Sequence, residues 1–175
     1  MPDGNTPAAS GSGNMRWYII GGIALLLIGG WLLTGGAAKL TGGAQGVDVD
    51  RNADGSTTYQ NDEGSVTVGT SASMPANWPS DAPANYSGAA IVYSGTSNPQ
   101  TGQQGSAVSY TAEASVQSVV DFYQSQLAAG GWTVNATANV GGATVISATK
   151  DTRTFGAYVV DTGGGTVTVT AGIEL

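Results

Sequence analysis

The chain has 175 residues, a formal net charge of −7 and only 10% charged residues. Because it contains no cysteine and no histidine, it offers no disulfide, thiolate nucleophile, zinc–thiolate site or histidine general base. Its negative field repels phosphate groups, which argues against a nucleic-acid partner.

The first predicted element is an uncharged apolar segment at residues 17–34, which follows a polar leader at residues 1–16. As a helix it would be roughly 27 Å long, about the thickness of the hydrocarbon core of a bilayer. We therefore expect a single transmembrane helix whose partner is the lipid bilayer. The threonine-rich, lysine-poor remainder favours an extracytoplasmic position for the C-terminal part. A cleavable signal peptide is the alternative, because small residues at 35–37 follow the apolar run.

Two segments precede the C-terminal domain, and a third joins it to them. Residues 35–46 carry five glycines and no periodicity, which indicates a flexible tether. Residues 47–73 alternate short β-prone runs with turn residues, which predicts a small β-meander. Residues 74–88 hold three prolines, a density that excludes helix and central strand. We interpret this connector as an extended segment whose aromatics pack on the domain, with a polyproline-type ligand site as the alternative.

The meander contains a candidate metal site. Asp50, Asn52 and Asp54 are spaced two residues apart and precede Gly55, as in the first half of an EF-hand calcium loop. Asn61 stands where the loop needs a bidentate glutamate, and Asp and Asn are also common in hairpin turns for backbone reasons alone. A weak calcium site and a simple turn therefore both fit, and we expect no other metal or cofactor.

Residues 89–175 show the clearest periodicity. Two strands are predicted at 89–94 and 106–112, and four more at 132–140, 143–150, 154–160 and 166–173. In the strand after the helix, alternation places Trp132, Val134, Ala136, Ala138 and Val140 toward the core.

Between the second and third of these strands lies an amphipathic helix, capped by Ser115 and ended by Gly130–Gly131. Its apolar stripe contains Val116, Val119, Val120, Tyr123 and Leu127. The pattern ββαββββ predicts an α+β fold, with an antiparallel sheet backed by one helix and a wet opposite face.

The run from Asp121 to Trp132 resembles the Phe-Tyr-x3-Leu-x3-Gly-Trp helix-to-strand signature of many exported bacterial domains. Together with Met74–Pro83 and Tyr86–Gly88, it is similar to a functionally uncharacterised family of single-anchor proteins in bacteria with reduced genomes. The resemblance covers about residues 57–175. It implies the fold and an exported location, and it carries no catalytic residue across.

Candidate chemistry is sparse. Asp62–Glu63 and Lys150–Arg153 are charge clusters that we interpret as solvated turns, the second keeping the sheet soluble. No motif marks a serine or threonine as a nucleophile, so we expect no enzyme and no catalytic residue. Phe122, Tyr123 and Trp132 fit a core better than a pocket.

We therefore predict a non-catalytic, membrane-anchored extracytoplasmic protein of the cell envelope that binds or scaffolds, with an envelope protein on its sheet face or edge. One alternative is a hydrophobic-ligand carrier whose helix lifts off the sheet, which a deep cavity under Val119, Tyr123 and Trp132 would indicate. The other is a carboxylate-dependent hydrolase.

Overall fold

The computed structural model describes residues 48–61, 64–97 and 104–175. The predicted span at 17–34, its leader and tether, and the predicted turn at 62–63 lie outside these ranges. Within them, no helix combines the length and the apolar character needed to cross a bilayer. The described elements are β1 (Asp48–Arg51), β2 (Thr57–Asn61), β3 (Gly64–Val68), β4 (Ala90–Ser97), β5 (Gly105–Glu113), α1 (Val116–Ala129), β6 (Thr133–Val140), β7 (Ala143–Lys150), β8 (Arg153–Gly163) and β9 (Thr166–Glu174).

The nine strands form one antiparallel sheet in the order β1-β2-β3-β4-β5-β9-β8-β7-β6. The ββαββββ order predicted for residues 89–175 is confirmed, with strand limits shifted by a few residues. The predicted meander strands also form, but they continue the same sheet, since β3 pairs with β4 from Gly64↔Ser97 to Val68↔Tyr93. The connector therefore leaves the sheet between two paired strands and returns to it.

Helix α1 follows its predicted limits. The Ser115 hydroxyl accepts a hydrogen bond from the backbone N–H of Ser118 at 3.1 Å, which caps the first turn. At the other end Gly131 has φ of +76°, a conformation that L residues rarely adopt. The buried stripe contains Val119, Val120, Tyr123 and Leu127.

The core lies on the sheet face that α1 covers, here called the helix-side face. One cross-strand row on this face joins Ile146, Ala157, Ala171 and Val108, all essentially inaccessible to solvent. The alternation predicted for β9 is confirmed, because its buried residues are Val167, Val169, Ala171 and Ile173.

Strand β6 departs from its predicted alternation. Val134 faces the core, but a bulge between Val134 and Ala136 shifts the pairing with β7 by one residue. The inward placement of Ala136, Ala138 and Val140 is therefore wrong: they are exposed, and they lie on the opposite face. A one-residue slip reverses the side of every later side chain, and polarity alternation alone does not locate such a slip.

The face opposite α1, here called the distal face, is less polar than predicted. Threonines of β9 do line its centre, but a row of pairs across it joins Ala138, Val145, Tyr158 and Thr170. Tyr93 also lies on this face and its ring covers Gly95, where a Cβ would come within 2.7 Å of the tyrosine hydroxyl.

Candidate functional site

The candidate site is the apolar compartment between the helix-side face and its cover. Two segments form this cover: α1 lies over β6, β7 and β8, and the connector at 74–88 packs beside it. Side chains of Met74, Trp78, Ala82 and Tyr86 pack against the core without being fully buried. The aromatics of the connector therefore pack on the domain, as predicted. The segment is not extended throughout, because backbone hydrogen bonds close turns at Pro75–Trp78, Pro79–Ala82 and Tyr86–Ala89.

Aromatic rings run continuously through the compartment, from the strand to both parts of the cover. Phe155 of β8 is the centre, and its ring centroid lies 5.6 Å from Tyr123, 6.3 Å from Trp132 and 6.5 Å from Trp78. Phe122 then contacts Tyr123 at 5.5 Å and the connector residue Tyr86 at 5.3 Å. The connector is thus attached to the core by edge-on ring contacts, a geometry that aromatic pairs favour.

The deepest polar groups in the compartment are the hydroxyls of Tyr110 and Tyr123, which lie 2.9 Å apart. Neither side chain is exposed, and burial raises the pKa of both hydroxyls above the usual value for tyrosine. Within the described part of the chain, every buried side-chain nitrogen or oxygen atom has a hydrogen-bond partner.

The outer end of the connector is held by an ionic clamp around Asp81. Arg153 donates two hydrogen bonds to its carboxylate, at 2.9 and 2.7 Å, and Lys150 donates a third at 2.6 Å. Lys150 also donates to the carbonyl of Gly130 at the end of α1, at 2.7 Å. The clamp therefore joins the connector, the helix end and the β7–β8 hairpin.

Trp132 and Gly130 also hold the connector at the ionic clamp. The indole N–H of Trp132 donates to the Asp81 carbonyl at 2.7 Å, and the Arg153 guanidinium lies 5.0 Å from the centre of the Trp132 ring. A Cβ on Gly130 would overlap the Asp81 carbonyl oxygen. Glycine is required here because the connector approaches the end of the helix closely.

The clamp revises the predicted role of the Lys150–Arg153 turn. We expected solvated charges, but two of these side chains bind Asp81 and are only 27% and 22% exposed. Their hydrogen bonds, those from Arg153 first, lower the pKa of Asp81 well below its ordinary value. Because this carboxylate stays ionised near neutral pH, it cannot donate a proton as a hydrolase acid would.

The space directly under α1 is filled. Val119, Tyr123 and Leu127 are fully buried, and Trp132 is 4% exposed. These residues form core, as we expected of Tyr123 and Trp132, whereas Phe122 is half-buried beside the connector. The carrier in which the helix lifts off the sheet is therefore not favoured, because side chains occupy the place where a deep cavity was to be found.

The candidate calcium residues lie in the β1–β2 hairpin. Asp54 accepts from the backbone N–H and the hydroxyl of Ser56, at 2.9 and 2.7 Å, and these bonds lower its pKa. Asn52 donates to Ser56 and Thr58. Turn hydrogen bonds thus account for Asn52 and Asp54, whereas Asp50 lies on the exposed β1. In the described ranges no three acidic, histidine or cysteine residues gather as a metal site would require.

Comparison with known families gives a match to the C-terminal part of the chain. Residues 92–172 match a family model described as START domain-like. The C-terminal part of the chain is therefore similar to START domain-like domains. This region runs from β4 to β9 and includes α1, and it excludes the connector and β1–β3. No curated protein and no solved structure matches the chain.

The START-like match bears on only part of the sequence predictions. It agrees with the α+β fold and is consistent with binding a hydrophobic ligand. The resemblance to single-anchor exported proteins, the envelope partner and the location stay predictions.

Sequence reasoning missed the most connected polar residue of the site, Asp81. The feature of the sequence that could have identified Asp81 is its isolation, because no other acidic residue lies between Glu63 and Glu113. An isolated acid in an uncharged, proline-rich segment needs a partner elsewhere, and Lys150 and Arg153 are two of the few cations available.

Proposed function

We propose that the chain is a non-catalytic binding protein that takes a hydrophobic ligand between the sheet and the connector. The observation that supports this most directly is the unequal attachment of the cover. α1 places several fully buried large side chains in the core, whereas the connector is attached by half-buried rings, two buried prolines and a partly exposed ionic clamp. The START-like match supports a hydrophobic ligand.

The connector is the part of the cover that costs less to move, because its large side chains are half-buried. Lifting α1 would expose Val119, Tyr123 and Leu127, and each fully buried side chain contributes about 1.5–3 kcal/mol. Lifting the connector exposes its half-buried side chains, the buried Pro75 and Pro83 and part of the Phe155 ring, and it breaks a clamp that water can reach. A ligand therefore gains entry beside Trp78 and Tyr86, with Phe122 as the floor of the opening.

The rim of this opening favours an amphipathic anion, such as a long-chain fatty acid. Arg153 and Lys150 bind the Asp81 carboxylate in a geometry that any carboxylate can share. A ligand carboxylate that displaced Asp81 would keep both cations paired while its chain entered the uncharged compartment. A membrane anchor at 17–34, which rests on sequence alone, would place this opening outside the cytoplasm and close to a lipid source.

A photoreactive long-chain fatty acid tests this proposal on the full-length chain in membranes. Labelled peptides mapped by mass spectrometry should include the connector and the part of α1 around Phe122. Unlabelled fatty acid should compete, and the fatty alcohol of equal length should compete poorly. Arg153→Gln should reduce labelling of the connector, whereas Arg51→Gln, on the exposed strand β1, should not.

Labelling confined to residues 17–34 would refute the ligand site. Equal competition by acid and alcohol would instead refute only the anionic headgroup. Protease treatment of intact cells tests the location separately, because an extracytoplasmic domain should be cleaved without lysis.

A further inference from the structure

The two edges of the sheet are protected very differently. Strand β1 is four residues long and fully exposed, and three of its residues are charged: Asp48, Asp50 and Arg51. Short length and charge are the usual means by which proteins prevent an edge strand from pairing with another chain. The β1 edge is therefore protected.

Strand β6, at the other edge, lacks that protection. It has eight residues, none of them charged or proline, and residues 135–140 are all exposed. Val140 is 50% exposed, the highest value among the exposed large hydrophobic side chains of the described sheet. The one protective feature is the bulge near its start, and residues 136–140 beyond it pair regularly with β7. A long, uncharged edge of this kind is open to strand addition.

The backbone of β6 offers a complete set of partners to an added strand. Gly141 and Gly142 form a two-residue turn, so Val140 and Ala143 are the hydrogen-bonded pair that closes the hairpin. Hydrogen-bonded and non-hydrogen-bonded pairs alternate along an antiparallel pair of strands, so the N–H and C=O groups of Thr137 and Asn139 point away from β7. An antiparallel strand can take four hydrogen bonds from these two residues.

We propose that β6 pairs with β6 of a second copy of this chain, antiparallel and about a two-fold axis at Ala138. In this register Ala138 lies opposite Ala138, Thr137 opposite Asn139, and Ala136 opposite Val140. Apolar residues then meet on the distal face and polar residues on the helix-side face. The same patch serves both copies, which is the usual form of a homodimer interface.

Charge explains why a second copy fits this edge. A chain with a net charge of −7 repels itself, and like charges directly opposite each other on neighbouring strands are destabilising. Strand β6 is uncharged, and the distant charges are screened over about 8–10 Å in physiological salt. Since the outer edges of the dimer are the charged β1 strands, assembly stops at two copies. This inference does not depend on the proposed ligand.

The central position of Ala138 gives a sharp test by charge exchange. Light scattering of the full-length chain in mild detergent should give twice the chain mass. Ala138→Lys and Ala138→Glu each place like charges opposite each other, and each should give the mass of one chain. An equimolar mixture of the two variants should regain the dimer. Val49→Lys, on the protected β1 edge, is the matched control and should leave the dimer unchanged. Circular dichroism checks that all variants fold.

A single introduced thiol tests the register, because the native chain has no cysteine. Residues opposite each other in a non-hydrogen-bonded pair have Cα atoms about 4.5 Å apart, within the range of a disulfide. Ala138→Cys should therefore crosslink on mild oxidation, and Thr133→Cys should not. A wild-type monomer at all concentrations, a dimer that survives Ala138→Lys, or an assembly larger than two would each overturn the proposal.

Discussion

Replacing Asp81 by asparagine should destabilise the attachment of the connector. The carboxylate accepts hydrogen bonds from two cations, and the three side chains are 22–31% exposed. Exposed ion pairs contribute about 0–1 kcal/mol and buried charged hydrogen bonds about 1.5–3 kcal/mol. For this intermediate exposure we expect about 1 kcal/mol per cation, hence a loss of about 2 kcal/mol. In a domain of this size that lowers Tm by about 8 °C.

The loss should depend on pH in a defined direction. The folded-state pKa of Asp81 lies below its unfolded value of about 3.9, so the ionised form stabilises the fold. This contribution is fully present above about pH 4, and it is lost as pH falls through the lowered folded-state pKa. The difference in unfolding free energy between wild type and Asp81→Asn should therefore be constant from pH 5 to 7 and should shrink in stronger acid.

Thermal and denaturant unfolding of the full-length chain, followed by circular dichroism and by tryptophan fluorescence, provides the measurement. Hydrogen exchange should locate the greater loss of protection in the connector rather than in β8 and β9. Asp121→Asn is the control, since this carboxylate is exposed on α1 and accepts a bond from Gln117; it should cost less than about 0.5 kcal/mol. If Asp81→Asn were as stable as the wild type at pH 7, the clamp would not hold the connector.

Three further changes test the site and the sheet. Gly130→Ala should loosen the connector without reducing the helix content measured by circular dichroism. Gly156→Ala is the control: no atom lies near the added Cβ, so the connector should stay attached. Tyr110→Phe should cost about 1–3 kcal/mol in denaturant unfolding, because it leaves the Tyr123 hydroxyl buried and unpaired, and replacing both tyrosines should cost less than the two single changes added. Deleting Asn135 should remove the bulge of β6 without changing the face of the residues that follow, so its Tm should stay within a few degrees of wild type.

Local sequence patterns predicted most of the fold, because its helix and most of its strands bury the side chains that their periodicity places on one side. The stripe of α1 and the alternation of β9 each bury one side, and Ser115 and Gly131 mark helix ends by backbone chemistry that is local in sequence. The continuation of the meander into the main sheet was not predictable in this way. It depends on the pairing of Val68 with Tyr93, a contact between segments separated by the connector, which no local period records.

The few charges of the chain explain what the local patterns missed. After residue 40 its cations are Arg51, Lys150 and Arg153. Arg51 lies on the protected edge, and the other two hold the connector against the core. In a sequence so poor in charge, these three cations thus lie either on an edge strand of the described sheet or against its cover. It follows that β6, the long edge without any charge, is the part of the described sheet where association is least opposed.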